Sequence, residues 1–171
     1  PGIFRVNLSE GADYRSTLEA YLRDPNVAFA QPDYRVYIQK TPNDPEFGSM
    51  WPLENDGNLG GAVDADIDAA RAWDQHTGSG DLVVAVIDTG VDHSHPDLAD
   101  NMWVNPGEGA IADGIDNDGN GYVDDIYGYD FFNRDSDPFD DHGHGTHVAG
   151  TIGAVGDNGI GVTGINWNVQ I

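Results

Sequence analysis

The sequence predicts an α/β fold that starts a doubly wound parallel sheet with helices on both faces, and two segments support this prediction. Residues 83–88 form an apolar run that ends in Asp88, which is typical of a buried strand in a parallel sheet. Residues 144–152 begin with His144 and combine small with apolar residues, which favours a tightly packed helix. Because open sheets of this class carry their chemistry at the carboxyl ends of strands, we expect Asp88 and His144 to meet there.

The two segments also carry recognisable motifs. Asp88-Thr-Gly, His95-Pro-Asp-Leu and His144-Gly-Thr-His-Val-Ala-Gly-Thr follow one another along the chain. Together they resemble the signatures of the subtilisin family of serine endopeptidases, in which the triad order is Asp, His, Ser. The resemblance implies that Asp88 orients His144, that His144 is the general base for a serine, and that His147 is not catalytic. It also implies protein or peptide substrates and a monomeric enzyme.

No segment of the chain resembles the serine motif of that family. Between Ile165 and Ile171 there is neither a Gly-Thr-Ser-Met-Ala-like phrase nor the asparagine expected for an oxyanion hole. We therefore expect the serine to lie beyond Ile171 in a longer enzyme, and the 171 residues by themselves to be inactive. The alternative from another class is a non-catalytic calcium-binding or inhibitory module.

Composition narrows the possible partners. The chain has 30 acidic and 7 basic residues and a formal charge of −23, which argues against nucleic acid or an anionic membrane as a partner and favours cations. A salt-rich habitat is a second interpretation of this acidity. Cysteine is absent, so disulfides are excluded. No stretch approaches the roughly 20 apolar residues of a membrane span, and we expect a secreted protein whose signal segment precedes Pro1.

The first 40 residues form a separate pattern. Alternating apolar residues at 3–8 predict a strand, helical spacing at 14–22 predicts a helix that Pro25 ends, and residues 27–38 predict a second strand. This pattern indicates a small α+β unit. Its phrase Gln31-Pro-Asp-Tyr resembles the end of the inhibitor-type propeptide of subtilisin-like enzymes. The expected division is therefore the carboxyl-terminal part of an inhibitory propeptide at 1–40 and the amino-terminal part of the peptidase domain at 41–171; an unrelated accessory domain at 1–40 is the alternative.

An acidic stretch lies between the two catalytic motifs, within an insertion expected near residues 105–141. Its spacing of acidic, amide and glycine residues matches the first half of an EF-hand calcium loop. Tyr127 stands where that loop has its bidentate glutamate, so Asp124 or Asp125 must close the site. A solvated acidic turn is the alternative. The predicted calcium ligands are Asp116, Asp118, Asn120, the carbonyl of Tyr122, and Asp124.

A further calcium site is implied by the resemblance alone. Thermitase-like members of the family tie an aspartate near the mature amino terminus to the aspartate of His-Pro-Asp-Leu and to a loop after the histidine helix. Asp157 could replace Asn158 as the ligand from that loop. The matching positions are Asp44, Asp97 and Asn158, with the carbonyls of Val155, Ile160 and Val162.

The histidines allow a rival interpretation. His142, His144 and His147 have the spacing of a zinc-hydrolase motif, but Thr146 stands where that motif has an aspartate. The simplest alternative for two of them makes His142 a solvated loop residue and His147 a buried core histidine.

Overall fold

The computed structural model describes residues 2–33, 40–109 and 111–171. The chain divides into two compact units, Pro1–Ile38 and Gln39–Ile171. Across the described residues, no helix combines the length and the apolar character needed to cross a membrane.

The described residues of the amino-terminal unit, 2–33, contain one helix. Helix α1 (Tyr14–Arg23) begins after Asp13, whose carboxylate accepts the backbone N–H of Ser16 at 2.9 Å, and it ends before Asp24 and Pro25. This position confirms the predicted helix. The predicted strand at 3–8 is wrong, because the described residues 2–33 contain no strand that could pair with it. The second predicted strand is absent at 27–33, and its remainder lies outside the described residues.

A short parallel sheet organises the second unit. Strand β1 (Gly78–Val83) pairs with strand β2 (Asn168–Gln170), and the register joins Gly78 to Asn168 and Val83 to Gln170. The sheet confirms the predicted parallel α/β arrangement. The strand expected at 83–88 is wrong in its bounds and in its burial, since residues 80–83 of β1 are exposed and Ile87 is 98% exposed. Pairing ends at the bond from Val84 N–H to the Gln170 carbonyl, because β2 has only three residues.

In sequence, one helix precedes each of the two strands of this sheet. Helix α2 (Ala69–Trp73) precedes β1, and helix α3 (His144–Gly153) precedes β2, as the small-residue pattern predicted. Short 3₁₀ turns cover Phe47–Ser49 and Ala99–Asn101. A Cβ added at Gly153 would collide with Val169, so glycine lets α3 lie directly against β2.

The buried apolar residues form two clusters. One surrounds α2, where Trp73 packs 5.0 Å from Trp167 between ring centroids. The other joins α3 to β2 and contains Leu98, Ala149, Val169 and Ile171, with Val84 and Val86 packed against it. Burying a side chain such as Leu98 contributes about 1.5 to 3 kcal/mol. The second cluster therefore holds α3 against the segment that leads from β1 to Asp88.

Candidate active site and cation sites

Asp88 and His144 meet although 56 residues separate them in sequence. Asp88 lies five residues after β1, and His144 is the first residue of α3. The Asp88 Oδ1 atom lies 2.7 Å from His144 Nδ1. The Asp88 side chain is 18% exposed and the His144 side chain 62% exposed, so the carboxylate is sheltered while the imidazole faces solvent.

The charge of Asp88 is favoured by its neighbours. The hydrogen bond from His144 lowers the pKa of Asp88, and a second bond from the Thr89 backbone N–H, 2.8 Å long, acts in the same direction. An ionised carboxylate accepts the Nδ1–H of the ring, which leaves the lone pair on Nε2. The exposed nitrogen of His144 is therefore free to take a proton from a substrate or a nucleophile.

Two residues missed by the sequence analysis lie beside this pair. The Thr89 hydroxyl donates to Asp140 Oδ1 at 2.9 Å and accepts the Gly145 N–H at 2.9 Å. Asp140 is 8% exposed and precedes the start of α3. Asp140 lies in a run of similar acidic residues, so the sequence does not distinguish it from its neighbours. The available signal is its position three residues before Gly143, the glycine that precedes the helix.

The pKa of Asp140 is lowered despite the burial of its side chain. Burial alone would raise the pKa of Asp140, but the Thr146 hydroxyl and the backbone N–H groups of Thr146, Gly143 and His142 donate to it. These bonds together hold the pKa well below its ordinary value of 3.8. Asp140 thus satisfies the Thr146 N–H in the first turn of α3 and the N–H groups of the two residues just before the helix.

The remaining histidines take different positions. His142 is exposed in the loop before α3, as the simplest interpretation expected. The interpretation of His147 as a core residue is wrong: His147 is exposed, because it lies on the face of α3 opposite buried Gly145 and Ala149. Within the described parts of the chain, no three histidines bring ring nitrogens within 4.8 Å of one another. The geometry therefore offers no support for the zinc interpretation.

The structure brings three predicted calcium ligands together. Asp44 Oδ1 accepts the Asn158 N–H at 3.3 Å, and Asp97 Oδ1 accepts the Asn158 Nδ2 group at 2.8 Å. Asp44 is 4% exposed and Asp97 1% exposed. We call this set, Asp44, Asp97 and Asn158, the terminal clip. Asp157 instead accepts the Asn43 N–H at 3.1 Å.

The backbone carbonyls predicted for the same site accept no hydrogen bond from the described part of the chain. In the described ranges, the carbonyl oxygens of Val155, Ile160 and Val162 accept no hydrogen bond from the protein. Nor does any ion pair formed there involve Asp44 or Asp97. Two buried carboxylates without a cationic side chain make a donor set suited to a hard cation.

The acidic loop adopts a different cluster from the predicted one. Carboxylate oxygens of Glu108, Asp118 and Asp125 lie within 4.8 Å of one another. Asp124 turns away, since its carboxylate accepts the N–H groups of Asp113 and Gly114. We call Glu108, Asp118 and Asp125 the loop cluster. Sequence reasoning missed Glu108, which lies outside the EF-hand-like spacing.

The other predicted ligands of this loop make local contacts. Asp116 accepts the backbone N–H groups of Gly119, Asn120 and Gly121. The Asn120 side chain donates to Asp118 and to Asp125, at 3.2 and 3.0 Å. Tyr122 packs its ring 4.4 Å from that of Tyr129, measured between centroids.

Comparison with known proteins identifies relatives of this chain. The sequence model of the subtilase family matches residues 79–171. Subtilisin-like protease 1 of Plasmodium berghei is 53% identical over 83 residues, which cover 48% of this chain and 14% of that protein. The thermophilic serine proteinase of Bacillus sp. (strain AK1) is 32% identical over 168 residues, which cover 98% of this chain and 33% of that protein.

A solved structure supports the same relationship. A protease from Pseudoalteromonas arctica PAMC 21717 is 35% identical with a TM-score of 0.50, and the match covers 77% of this chain and 37% of that one. The chain thus spans between 14% and 37% of the length of these relatives. The matched family region includes both Asp88 and His144. The chain therefore belongs to the subtilase family of serine proteases.

Proposed function

We propose that the protein is a serine endopeptidase in which Asp88 and His144 are two members of an Asp-His-Ser triad. The observation that carries this proposal is the 2.7 Å contact between Asp88 Oδ1 and His144 Nδ1. A carboxylate on Nδ1 fixes the ring tautomer and stabilises the imidazolium that forms when Nε2 accepts a proton. The nucleophilic serine comes from the part of the protein beyond this chain.

In this mechanism Nε2 of His144 transfers two protons, one in each half of the reaction. Nε2 removes the proton from the serine hydroxyl as the serine oxygen attacks the peptide carbonyl, and the same proton then goes to the departing amine. A water molecule then attacks the acyl group and gives a proton to Nε2. The bond between the serine oxygen and the acyl carbon breaks, the carboxylic acid leaves, and Nε2 returns the proton to the serine oxygen. Asp88 stays ionised throughout, which its lowered pKa supports.

Calcium binding at the terminal clip is the second part of the proposal. Asp44, Asp97 and Asn158 would supply side-chain oxygens, and Val155, Ile160 and Val162 would supply carbonyl oxygens. When bound, the ion would neutralise two carboxylates that are 4% and 1% exposed. The protein residues join the start of the second unit to the segment after α3, so the ion would stabilise the folded state.

The acidic loop is proposed as a second cation site. Glu108 and Asp125 are buried to 4% and 9% exposure, and with Asp118 they place three carboxylates together. Such a group repels itself unless a cation or several N–H donors offset the charge. Asp116, Asn120 and the Tyr122 carbonyl belong to the same loop and would complete the shell.

The remaining parts of the proposal concern the whole protein. Residues 1–40 would act as part of an inhibitory propeptide that is cut near residues 37–42, and residues 41–171 would belong to the peptidase domain. The enzyme would be secreted and would act on protein or peptide substrates as a monomer.

The test of the triad uses the full-length protein with casein as substrate and a fluorophosphonate label for the serine. We expect Asp88→Asn to lower kcat by about 10⁴-fold, because the ring loses its orienting carboxylate. His144→Ala should abolish both hydrolysis and labelling. His147→Ala is the matched control, since His147 is an exposed residue on the same helix.

Each result has a distinct meaning. Activity that survives His144→Ala contradicts the triad. Loss of activity in His147→Ala, with recovery on adding zinc, would favour a zinc site. A wild-type protein that neither hydrolyses casein nor takes the label would favour a non-catalytic binding or inhibitory module.

A further inference from the structure

Two threonine hydroxyls link the segment of Asp88 to the helix of His144 in a crossed arrangement. The Thr89 hydroxyl, on the Asp88 segment, accepts the N–H of Gly145 at 2.9 Å. The Thr146 hydroxyl, on α3, accepts the N–H of Asp92 at 2.9 Å. Each hydroxyl thus binds a backbone group on the opposite segment, next to or near a residue of the catalytic pair.

Both hydroxyls donate their protons to the same carboxylate. Thr89 donates to Asp140 Oδ1 at 2.9 Å and Thr146 donates to Asp140 Oδ2 at 2.7 Å. A hydroxyl has a single proton, so donation to Asp140 leaves its lone pairs directed at the N–H groups. Asp140 therefore sets the orientation of both hydroxyls.

The carboxylate is itself fixed in place. Asp140 is 8% exposed and also accepts the backbone N–H groups of His142, Gly143 and Thr146 at 3.0, 2.8 and 2.8 Å. Buried charged groups with several donors make short, strong hydrogen bonds. Asp140, four residues before His144, is thus bonded both to the first turn of α3 and to the loop residues that precede it.

The backbones of the two segments come unusually close at this point. A Cβ added at Gly145 would collide with the carbonyl oxygen of Gly90, so only glycine permits this approach. Close backbone contact makes the position of His144 sensitive to small movements between the segments. Catalytic geometry is sensitive too, since a misplacement of about 1 Å can cost about 100-fold in rate.

We propose that Thr89, Asp140 and Thr146 are positioning residues for the Asp88–His144 pair. We call these three the hydroxyl clamp. The clamp acts by holding α3 at the distance at which His144 Nδ1 and Asp88 Oδ1 form their bond. Thr89 also contacts Asp88 directly, because its backbone N–H donates to Asp88 Oδ1. The kinetic consequence rests on the proposed peptidase function, but the structural consequence does not.

The test compares Thr89→Val with Thr89→Ser in the full-length protein. Valine keeps the branched shape and loses the hydroxyl, whereas serine keeps the hydroxyl. We expect Thr89→Val to lower kcat by about 10- to 100-fold with KM little changed. We also expect it to weaken or remove the downfield proton resonance of His144 Nδ1–H, while Thr89→Ser retains both.

Two further variants complete the design. Asp140→Asn should repeat the effects of Thr89→Val, because one amide oxygen cannot replace two acceptors for five donors. It also provides the test if Thr89→Val does not fold. Thr151→Val is the control: it removes another hydroxyl from α3, whose bond to the His147 carbonyl lies outside the clamp.

The outcomes separate the clamp from the proposed function. A retained Nδ1–H resonance and an unchanged kcat in Thr89→Val, or equal damage in Thr89→Ser and Thr151→Val, would overturn the clamp. If the wild type shows no peptidase activity, the proposed function fails, while the resonance in the four variants still decides whether the clamp holds the pair together.

Discussion

The terminal clip and the loop cluster both gather acidic side chains, but they join very different parts of the chain. In the clip, Asp44 contacts Asp157 across 113 residues and Asp97 contacts Asn158 across 61. In the loop, Glu108 contacts Asn117 across 9 residues and Asp124 across 16. Long-range contacts break only when the unit unfolds, whereas a local loop can open by itself. The two regions should therefore contribute differently to global stability.

Calcium removal should produce the largest effect. If the clip binds calcium and the free ion is roughly 100 times its Kd, the ion adds about 2.7 kcal/mol to the free energy of unfolding. A chelator should lower Tm in the wild type and in Glu108→Gln, but only slightly in Asp97→Asn. Differential scanning calorimetry with and without calcium measures this. Equal calcium dependence in all three proteins would show that the clip is not the stabilising site.

Substitution of one buried carboxylate in each region sharpens the comparison. Asp97 is 1% exposed and accepts the Asn158 amide and the Val162 N–H at 2.8 and 2.9 Å. In calcium-free buffer, Asp97→Asn should cost about 2 kcal/mol in urea unfolding, because a buried donor loses its acceptor. Glu108→Gln should cost less than about 1 kcal/mol globally, because the loop opens independently.

Hydrogen exchange distinguishes the two variants further. Glu108→Gln should speed exchange at Asn117, Asp118 and Asp124, whose N–H groups bind Glu108 in the wild type. The remainder of the second unit should be unaffected. A global loss of protection in Glu108→Gln as large as that in Asp97→Asn would remove the distinction between the regions.

A smaller effect should appear in the pH dependence of stability. The pKa of Asp140 is lowered in the folded state from its ordinary value of 3.8. A depressed pKa contributes stability above the unfolded value, and this stability is lost as pH falls through the folded value. The wild type should therefore lose more stability than Asp140→Asn between pH 6 and about pH 2. Asp141→Asn, which removes an exposed charge from the adjacent residue, is the control for net charge; identical acid profiles for the wild type and Asp140→Asn would contradict the expectation.

Parts of the fold could be predicted because the relevant signals are local. The helix at 14–22 is defined by its apolar spacing and by Pro25, and it appears as Tyr14–Arg23. The strand at 3–8 failed because alternation gives a segment the capacity to pair but does not supply a partner. The bounds of β1 failed for a related reason, since the length of β2 limits the pairing.

The candidate sites likewise contain residues that could be predicted from the sequence and residues that could not. The motif residues Asp88 and His144 could be recognised from their neighbours in sequence, and the structure places them 2.7 Å apart. Glu108 and Asp140 lie outside the quoted motifs, and Thr89 lies within Asp88-Thr-Gly but was given no role there. Each of these residues gains its role from a contact with another segment, and the sequence does not show which segment that is. The hydrogen bond between Thr89 and Asp140, for example, joins residues that are 51 positions apart.

The sequence by itself determined the chemistry that the chain can offer: the carboxylate of Asp88 and the imidazole of His144 in family motifs, many oxygen ligands for a cation, and no thiol. Residue type and local spacing are enough for these properties, because they depend on side-chain chemistry and short-range backbone geometry. Only the tertiary structure decided which carboxylates lie close together and which of them accept backbone N–H groups. The choice of Asp125 with Glu108 over Asp124, and of Asp140 over its acidic neighbours, depends on burial and on which N–H groups point at each carboxylate. Those directions are set by the packing of α3 and the loops against the sheet, and no local pattern contains them.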